Sequence, residues 1–320
     1  MRLLVIGGGR FFGASLVDQA LAAGSAVTVL QRGQTSRDVP AGVEWLQGDR
    51  DGAGLDLLKG RDFDAVVDTC GYFPRVVRAS AELLEGSVGR YLFVSSISAY
   101  DPHVGQVFTE GMPLATWDDP TEEITEGSYG GFKAQCEQVI DEVYGARGVT
   151  VRPGLIVGPN DPTERFTYWP RRLAEGGKVL MPGGPEQPFQ VIDARDLAAF
   201  ALRVIADSRT GVVNAVAPAT TFGALVAAND FGVEPVWAPE SWLIEHGVEP
   251  WSQLPVWTGP DDPLVASSTR ALEWGLTPRS LEDTSAATLA WDRERGFPPQ
   301  PTCLSREREA ELVAEIEGAS

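Results

Sequence analysis

The sequence predicts an α/β protein in which a doubly wound parallel sheet is followed by a smaller, mixed α/β region. Short apolar strands alternate with helical segments through the first 153 residues, which is the pattern of a parallel sheet with helices on both faces. The first strand leads through a glycine-rich turn directly into a helix. Polar residues follow the later strands, at the edge where such sheets bind ligands. At 320 residues the chain is long enough to bury a substantial core.

The glycine-rich turn runs from Gly7 to Gly13 and has the features of a dinucleotide-binding loop. Glycines let the backbone approach a pyrophosphate, and the N–H groups of the following helix attract its charge. Gly7 and Gly13 fit the spacing G-x-x-G-x-x-G with Arg10 at the middle position, while Phe12 interrupts the spacing G-x-G-x-x-G. The turn predicts a Rossmann-type nucleotide-binding domain. The alternative is a turn that only packs strand against helix.

The second strand ends in Gln31-Arg32-Gly33, where a carboxylate would bind the adenosine ribose of NAD. This stretch contains no carboxylate. Arg32, with Arg10, can instead pair with a 2′-phosphate, which favours NADP(H). NAD(H) remains the alternative if both arginines are only solvated. After the third strand, Asp49 is expected to meet the adenine amino group.

The predicted elements define two regions and a tail. Strands are expected at 3–6, 26–30, 43–46, 63–68, 90–94, 149–151 and 212–216, and helices at 14–23, from about 128, and at 165–174, 193–206, 269–275 and 281–295. The predicted NADP-binding domain comprises 1–153 and about 192–217, because the strand at 212–216 is expected to return to the first sheet. About 154–191 and 218–303 form the predicted substrate-binding region. The alternation of Glu and Arg in 304–320 predicts a polar helical or frayed tail.

An acidic segment separates the fifth strand from the helix near Ser128. Residues 101–127 contain seven acidic side chains and no Lys or Arg. A loop of this length in a compact domain is usually a lid, a binding loop or a disordered segment. We expect one of these three here.

Composition limits the partners. A net charge of −19 disfavours nucleic acid, because polyphosphate chains would be repelled. Three separated cysteines and two histidines argue against a disulfide framework and against a Cys/His metal site. The sequence has neither eighteen consecutive apolar residues nor a signal-peptide pattern, so we expect a cytoplasmic protein with no membrane partner. A small-molecule substrate is expected, and a homodimer is a further possibility.

Tyr129 and Lys133 lie four residues apart at the start of a predicted helix, and therefore on one of its faces. Lowering the pKa of a phenol from about 10 to near neutrality takes about 4 kcal/mol. An ammonium about 4 Å away contributes up to that order. With three lysines and six tyrosines in the chain, about 0.06 such pairs are expected by chance. The pair is a candidate proton-transfer site, and the alternative is an amphipathic helix carrying two unrelated polar groups.

Several motifs carry a family resemblance when they are taken together. They are Gly7-x-x-Arg10-x-x-Gly13, Asp49, Ser95-Ser96, Tyr129-x-x-x-Lys133 and Arg152-Pro153-Gly154. This set resembles the short-chain dehydrogenase/reductase superfamily, and most of all its extended branch, the NAD-dependent epimerase/dehydratase family. The resemblance extends over nearly the whole chain, including 189–196 and 270–276.

One departure from the family pattern affects the expected substrate. Arg10 replaces a family glycine, so the chain is more similar to a subgroup with the motif Gly-Gly-x-Arg-Phe-x-Gly. That subgroup includes isoflavone-reductase-like enzymes and a chloroplast stem-loop RNA-binding protein. The resemblance therefore does not fix a sugar substrate.

The resemblance implies a catalytic triad of Ser96, Tyr129 and Lys133, with Ser98 as the alternative serine. Tyr129 would donate or accept the proton, Lys133 would lower its pKa and bind the nicotinamide ribose, and Ser96 would hydrogen-bond the reacting oxygen. The predicted cofactor contacts are Gly7, Gly9, Arg10, Phe11, Phe12, Gly13, Gln31, Arg32, Asp49, Arg50, Thr69, Cys70, Gly71, Ser95, Tyr129, Lys133, Pro153 and Ile156. The predicted substrate contacts are Tyr72, Tyr168, Trp169 and Gln190.

Three hypotheses of function follow. The first is an NADPH-dependent oxidoreductase that transfers hydride to or from a carbonyl or imine of a small molecule. The second is a nucleotide-sugar epimerase or dehydratase that restores a tightly bound NAD(P) in each turnover. Its substrate diphosphate would be bound by members of the set Arg165, Arg171, Arg172, Arg195, Arg270 and Arg279. The third, an RNA-binding or scaffold protein with a vestigial site, is disfavoured by the acidic charge and the complete triad.

Overall fold

The structure is a computed structural model that describes residues 1–34, 40–102, 107–229, 231–260, 265–300 and 302–318. Its strands are β1 (Arg2–Ile6), β2 (Ala26–Gln31), β3 (Val43–Gln47), β4 (Phe63–Asp68), β5 (Val88–Val94), β6 (Val107–Phe108), β7 (Gly148–Pro153), β8 (Leu155–Val157), β9 (Gly177–Pro182), β10 (Pro188–Phe189), β11 (Val191–Asp193), β12 (Gly211–Ala215), β13 (Thr220–Thr221), β14 (Val233–Ala238) and β15 (Val265–Ala266). Its helices are α1 (Phe11–Ala22), α2 (Pro74–Leu84), α3 (Glu126–Tyr144), α4 (Tyr168–Ala174), α5 (Ala194–Ala206), α6 (Phe222–Ala227), α7 (Glu240–Glu245), α8 (Thr269–Glu273), α9 (Leu281–Glu294) and α10 (Arg306–Gly318).

The first of two compact units contains a seven-stranded parallel sheet. Unit 1 comprises Met1–Gly154, Ala194–Val216 and Ala266–Thr277. Its strand order is β12-β7-β5-β4-β1-β2-β3. The order reverses between β1 and β4, and such a reversal leaves a crevice for ligands beyond the carboxyl ends of the strands. The predicted doubly wound parallel sheet is confirmed, including the return of the strand near 212–216 beside β7.

Both faces of this sheet are covered, which explains its continuous apolar strands. Leu4 and Ile6 of β1 join a buried cluster with Val77 of α2 and Val139 of α3. On β1, Leu3 is equally inaccessible to solvent. Helices α2 and α3 pack together, and α1 packs with α5. The sheet therefore holds its carboxyl ends in fixed positions.

The second unit has smaller sheets and an aromatic core. Unit 2 comprises Leu155–Asp193, Ala217–Val265 and Pro278–Ser320. Strand β8 pairs in parallel with β11, β9 pairs in parallel with β14, and β10 pairs antiparallel with β13. Trp169, Trp257 and Phe222 are almost completely buried in its core.

The division differs from the predicted one at Ala266–Thr277. This segment belongs to unit 1, because the Arg270 guanidinium donates to the Val212 carbonyl at 2.7 Å and the Ser267 N–H donates to the Phe108 carbonyl at 2.8 Å. These bonds join residues more than fifty positions apart, so local sequence does not reveal them.

The C-terminal tail forms a helix, one of the two predicted alternatives, and α10 is packed rather than frayed. Leu312 is fully buried and Glu309 is 2% exposed. The Glu309 carboxylate accepts from Arg172 Nε at 2.6 Å and from the Leu180 N–H at 3.1 Å. A buried charge of this kind requires a partner, and the partner lies far away in sequence. Residues 319–320 of the predicted tail lie outside the described residues.

The acidic segment before α3 is folded against neighbouring residues over much of its described length. The Ala115 N–H donates to the Ala99 carbonyl at 2.9 Å, and Gln135 Nε2 donates to the Trp117 carbonyl at 2.7 Å. Residues 103–106 of this segment lie outside the described part. A role as a lid or binding loop stays a prediction.

Candidate functional site

The glycine-rich turn after β1 exposes bare backbone. Gly7 has a φ of 107°, a conformation that favours glycine, and its N–H donates to the Leu30 carbonyl at 2.9 Å. A Cβ at Gly13 would lie 2.6 Å from the Cα of Gly8. Only glycine therefore lets α1 begin so close to the turn, as the close backbone approach of a pyrophosphate also requires.

The first turn of α1 offers N–H groups to an anion. Arg10 precedes the helix in an extended conformation, its side chain makes no capping hydrogen bond, and the first turn has no acidic side chain. The first N–H groups of a helix have no intrahelical partners and favour negative charge. Phe11 has a positive φ of 50°, which is uncommon for a bulky residue. Phe12 is 5% exposed, so its side chain belongs to the core.

Two arginines lie near the end of β2 and the glycine turn. Arg10 and Arg32 are exposed, and neither forms an ion pair with a described residue. A Cβ at Gly9 would collide with the side-chain oxygen of Gln31, so this amide lies against the turn. Residues 31–34 carry no carboxylate. Both arginines therefore place positive charge at the surface, and their contact with a 2′-phosphate stays a prediction.

Arg50 has a different environment from the one predicted for a cofactor contact. Its guanidinium is 8% exposed and pairs with Asp68 at 2.5 Å. Asp68 also accepts from the Tyr91 hydroxyl at 2.9 Å and from the Cys70 N–H at 3.2 Å. The guanidinium therefore binds a carboxylate of the protein rather than a cofactor, and it holds the ends of β3 and β4 together. Asp49 is exposed beside it.

The stretch after β4 meets the glycine turn. The Thr69 hydroxyl donates to the Ile6 carbonyl at 3.0 Å, and a Cβ at Gly7 would collide with that hydroxyl. The Cys70 Sγ lies 3.6 Å from the same carbonyl. Gly71 is buried, and its carbonyl faces Lys133. The ends of β1 and β4 therefore form one continuous edge.

Helix α3 presents Tyr129 and Lys133 at this edge. The helix begins in a reciprocal capping box between Thr125 and Ser128. Lys133 is 3% exposed, and its Nζ donates to the carbonyls of Gly71 at 2.8 Å and Val94 at 2.9 Å. Burial lowers the pKa of this ammonium. The partly exposed Tyr129 ring has its centroid 5.9 Å from the Lys133 Nζ.

The two glycines after Tyr129 allow α3 to lie this close to its neighbours. A Cβ at Gly130 would collide with the Ser98 carbonyl, and a Cβ at Gly131 would collide with Trp117. Sequence reasoning missed their role. Their only signal was a pair of adjacent glycines inside a helix, where glycine costs about 1 kcal/mol and therefore suggests a packing reason.

The serines after β5 differ in their contacts. Ser96 is 9% exposed, and its Oγ accepts from the Ser98 N–H at 3.1 Å, which caps a short 3-10 turn. A hydroxyl can accept and donate at once, so its hydrogen remains for another acceptor. Ser95 is buried, and its Oγ donates to Glu137 at 2.5 Å. Glu137 was not among the predicted site residues.

The predicted substrate residues of unit 2 are buried in this structure, and the two aromatic ones lie in its core. Tyr168 is 1% exposed and Trp169 is fully buried, with its Nε1 donating to the Pro255 carbonyl at 2.5 Å. Gln190 is 8% exposed and donates to the Ala217 carbonyl at 2.8 Å. Tyr168 and Trp169 therefore fill the core, whereas the exposure of Gln190 is close to the 9% of Ser96, so a substrate contact by Gln190 stays a prediction. Ile156, a predicted cofactor contact, lies on β8 and is partly exposed.

Tyr72 and Pro153, the remaining predicted contacts, differ in exposure. Tyr72 is 46% exposed, and its ring centroid lies 5.1 Å from the Lys133 Nζ. Pro153 is buried at the end of β7. Tyr72 therefore stays available as a substrate contact, while Pro153 supports the end of its strand.

The residues of unit 1 fit a dinucleotide cofactor. The turn is bare of side chains at Gly7, Gly8 and Gly9, the first N–H groups of α1 receive no side-chain cap, and the Lys133 ammonium retains one N–H beyond the two carbonyls it contacts. Within the described ranges, no group of three or more His, Cys, Asp or Glu side chains could hold a metal ion. No described helix is both long and apolar enough to cross a membrane.

Comparison with solved structures supports the same fold. An enzyme of Bordetella bronchiseptica, WbmH in complex with NAD+, is similar with a TM-score of 0.69 at 19% identity, covering 92% of this chain and 99% of that one. UDP-glucose 4-epimerase of Thermotoga maritima with UDP-glucose has a TM-score of 0.67 at 17% identity, covering 92% and 99%. UDP-glucuronic acid 4-epimerase of Bacillus cereus in complex with NAD has a TM-score of 0.66 at 16% identity, covering 93% and 100%.

A family model identifies the chain more directly than these distant structures do. No curated protein matches the sequence. Residues 3–216, which are more than half of the chain, match the model of the NAD dependent epimerase/dehydratase family. The match includes the glycine turn, Ser96, Tyr129 and Lys133. The protein therefore belongs to the NAD-dependent epimerase/dehydratase family, whose members are enzymes of the extended short-chain dehydrogenase/reductase type.

Proposed function

We propose that this protein is an NAD(P)-dependent enzyme that oxidises and re-reduces a carbon of a nucleotide-linked sugar, as an epimerase or dehydratase does. One observation carries the proposal: α3 holds the phenol of Tyr129 and the buried ammonium of Lys133 at the edge of a sheet whose glycine turn fits a dinucleotide. The family match and the UDP-sugar epimerases among similar structures support the substrate class. Sequence alone favoured a net NADPH-dependent oxidoreductase, and the comparisons favour this alternative.

Tyr129 moves the proton in the proposed reaction. It removes the proton of the reacting hydroxyl as the carbon is oxidised, and it returns a proton to the oxygen when the carbon is reduced again. A bound nicotinamide supplies the acceptor and donor of hydride. The Ser96 hydroxyl donates to the reacting oxygen, where negative charge develops.

Lys133 prepares Tyr129 for this role. Its ammonium is fixed by two carbonyls, so its charge stays in place and favours the phenolate. Lysine has three N–H donors. The third is available for a ribose hydroxyl of the cofactor.

Most arginines predicted to bind a substrate diphosphate have carboxylate partners. Arg172 pairs with Glu309 at 2.6 Å, and Arg171 lies 3.6 Å from Asp292. Arg165 is partly exposed and lies over the Trp251 ring, with its guanidinium 5.3 Å from the ring centroid. Arg165 also interacts electrostatically with Asp161, and its contact with a substrate diphosphate stays a prediction.

Conversion of nucleotide sugars tests the proposal directly. UDP-glucose and UDP-glucuronic acid would be incubated with the protein and catalytic amounts of NAD+ or NADP+, and the sugar would be followed by proton NMR. We expect conversion without net cofactor consumption, and loss of conversion in Tyr129→Phe. If neither sugar is converted at cofactor concentrations that saturate the protein, this substrate class is rejected. Equal conversion by Tyr129→Phe would reject the mechanism.

NADP(H) is the cofactor that we propose. The exposed guanidinium groups of Arg10 and Arg32 can neutralise a 2′-phosphate, and neither forms an ion pair with a described residue. Two of the similar structures are complexes with NAD, so the choice requires a measurement.

Binding titrations with NADPH and NADH measure this preference. We expect NADPH to bind at least about 10-fold more tightly, which corresponds to about 1.4 kcal/mol. The variant Arg10→Ala/Arg32→Ala should lose the difference, whereas Arg2→Ala, which removes an exposed arginine paired with Asp64, should keep it. Equal affinities in the wild-type protein would assign NAD(H) instead.

A net reductase remains the second candidate, because these two arginines favour NADPH, the usual cofactor of a reduction. Such an enzyme would consume NADPH in proportion to the product formed from a carbonyl substrate. An epimerase would not. Absorbance at the nicotinamide band, measured together with product, separates the two.

A further inference from the structure

Glu137 is a buried carboxylate of α3 that the proposed chemistry does not use. It lies four residues after Lys133 and eight after Tyr129, so all three share one face of the helix. Its side chain is 6% exposed. A carboxylate in such a position is retained only if its partners compensate for the lost hydration.

Three hydrogen bonds satisfy this carboxylate. The Ser95 hydroxyl donates to Oε1 at 2.5 Å. Arg152, which is 3% exposed, donates to Oε1 through Nε at 2.9 Å and to Oε2 through Nη2 at 2.5 Å. A single side chain therefore joins α3, the end of β5 and β7.

The contacts of Glu137 continue those of Lys133 along one strand end. Lys133 Nζ binds the Val94 carbonyl, and Glu137 binds the hydroxyl of Ser95, the next residue. Ser96 follows immediately. Val94 and Ser95, the two residues before Ser96, thus both form hydrogen bonds with α3, the helix that carries Tyr129. The separation of the serine and tyrosine hydroxyls therefore depends on both hydrogen bonds.

Arg152 is itself held on its other side. Its guanidinium lies over the Tyr100 ring, 4.5 Å from the centroid. The Tyr100 hydroxyl donates to Asn214 Oδ1 at 2.7 Å. This support keeps the guanidinium in the plane that suits a bidentate contact with a carboxylate.

We propose that Glu137 is a positioning residue, which through Ser95 sets the place of the Ser96 hydroxyl relative to Tyr129. The inference rests on the proposed function, because it assigns Ser96 and Tyr129 to the same reacting oxygen. It predicts that weakening the hydrogen bonds of Glu137 lowers kcat and leaves the affinity for the cofactor unchanged. A displacement of about 1 Å at a reacting group can lower a rate about 100-fold.

Unit 2 offers a matched control. Glu309 and Arg172 form an ion pair at 2.6 Å with side chains 3% and 7% exposed, similar to the 6% and 3% of Glu137 and Arg152. The change Glu309→Gln removes the same charge from a buried pair with an arginine, while Arg306 lies at 3.2 Å as a second cationic neighbour of Glu309. Any loss of kcat that follows simply from breaking a buried ion pair should appear in both Glu137→Gln and Glu309→Gln.

The kinetic test compares Glu137→Gln, Ser95→Ala and Glu309→Gln with the wild-type protein, using UDP-glucose or UDP-glucuronic acid, whichever is converted. Ser95→Ala leaves the ion pair intact, so it reports on positioning even if Glu137→Gln folds poorly. We expect kcat to fall about 100-fold in Glu137→Gln and about 10-fold in Ser95→Ala. The NADPH dissociation constant of Glu137→Gln should change less than two-fold, and Glu309→Gln should keep its kcat.

Combination with Ser96→Ala shows whether the effect passes through Ser96. If Glu137 acts by positioning this hydroxyl, Ser95→Ala should cost little further rate in a Ser96→Ala background, because coupled residues are not additive. If Ser95→Ala lowers kcat by the same factor with and without Ser96→Ala, the inference is overturned. A wild-type kcat in Ser95→Ala, while Tyr129→Phe is inactive, would also overturn it and leave the proposed function standing.

Crystal structures of the wild-type protein and Ser95→Ala provide a readout that needs no substrate. We expect the distance between the Ser96 Oγ and the Tyr129 phenolic oxygen to increase by about 1 Å in the variant. An unchanged distance would overturn the inference even if no nucleotide sugar is converted.

Discussion

The two units bury similar ion pairs but place them next to different neighbours. In unit 1, Arg152 and Glu137 approach to 2.5 Å, and Glu137 also holds Ser95, beside Ser96. In unit 2, Arg172 and Glu309 approach to 2.6 Å, and the pair holds α10 against β9. Buried charges cost similar desolvation in both places. A buried ion pair therefore does not mark a functional site by itself, and the accessible groups beside it decide its role.

Aromatic residues repeat this contrast. Tyr129 of unit 1 is partly exposed close to a buried ammonium, whereas Tyr168 of unit 2 is 1% exposed and packs edge-on against Trp169 at 5.0 Å between ring centroids. One phenol can reach a solute and the other fills a core. Substitutions that are chemically identical in the two units should then give different results.

The largest difference is expected for the two tyrosines. Tyr129→Phe removes the group that moves the proton, so turnover of a nucleotide sugar should fall by about 10²- to 10⁴-fold. Tyr168→Phe keeps the ring that fills the core, so turnover should stay within about two-fold and the free energy of unfolding should change by about 1 kcal/mol or less. Steady-state kinetics and urea unfolding measure the two effects. A comparable loss of turnover in both variants would break the contrast between the units.

The next effect concerns backbone contact at the glycine turn. Gly13→Ala places a Cβ 2.6 Å from the Gly8 Cα, so we expect a loss of about 1–3 kcal/mol in stability and weaker NADPH binding. Gly184→Ala in unit 2 adds a Cβ with no atom within 4 Å, and its stability should change by no more than about 0.5 kcal/mol. Thermal unfolding with and without NADPH checks both variants. Unaltered NADPH binding by Gly13→Ala would argue against a pyrophosphate at this turn.

The smallest effect is a difference in pH dependence between two lysines. Burial lowers the pKa of Lys133, so between that value and the usual value of about 10.5 the unfolded chain binds more protons than the folded chain. The contribution of Lys133 to stability therefore rises with pH in this window. The exposed Lys178 has its pKa raised by Glu317, so its contribution is present below about 10.5 and is lost as the pH rises through the raised value.

Urea unfolding between about pH 7.5 and 11.5 measures these opposite slopes. Relative to Lys133→Met, the wild-type protein should become more stable as the pH rises. Relative to Lys178→Met, it should keep its advantage up to about pH 10.5 and lose it above that value. The same sign in both comparisons would show that the Lys133 ammonium is hydrated rather than buried.

Local sequence was sufficient where a pattern repeats over a few residues. The apolar strands and glycine turn of unit 1 were predicted because alternation with helices and the spacing of Gly7 and Gly13 are short-range properties. The sequence also put Tyr129 and Lys133 on one helical face, and both lie on α3. It did not indicate that Gly130 and Gly131 let this helix touch Ser98 and Trp117.

By itself, the sequence determined the parallel sheet, the turn and the tyrosine–lysine pair, since each depends on neighbours within about one or two helical turns. Tertiary structure alone decided which charged and aromatic groups are accessible. Arg50 is buried against Asp68, Tyr168 lies in a core, and Glu309 holds α10, which the sequence predicted as a polar helical or frayed tail. In each case the partner is distant in sequence, and the cost of burying a charge depends on that partner rather than on the local pattern.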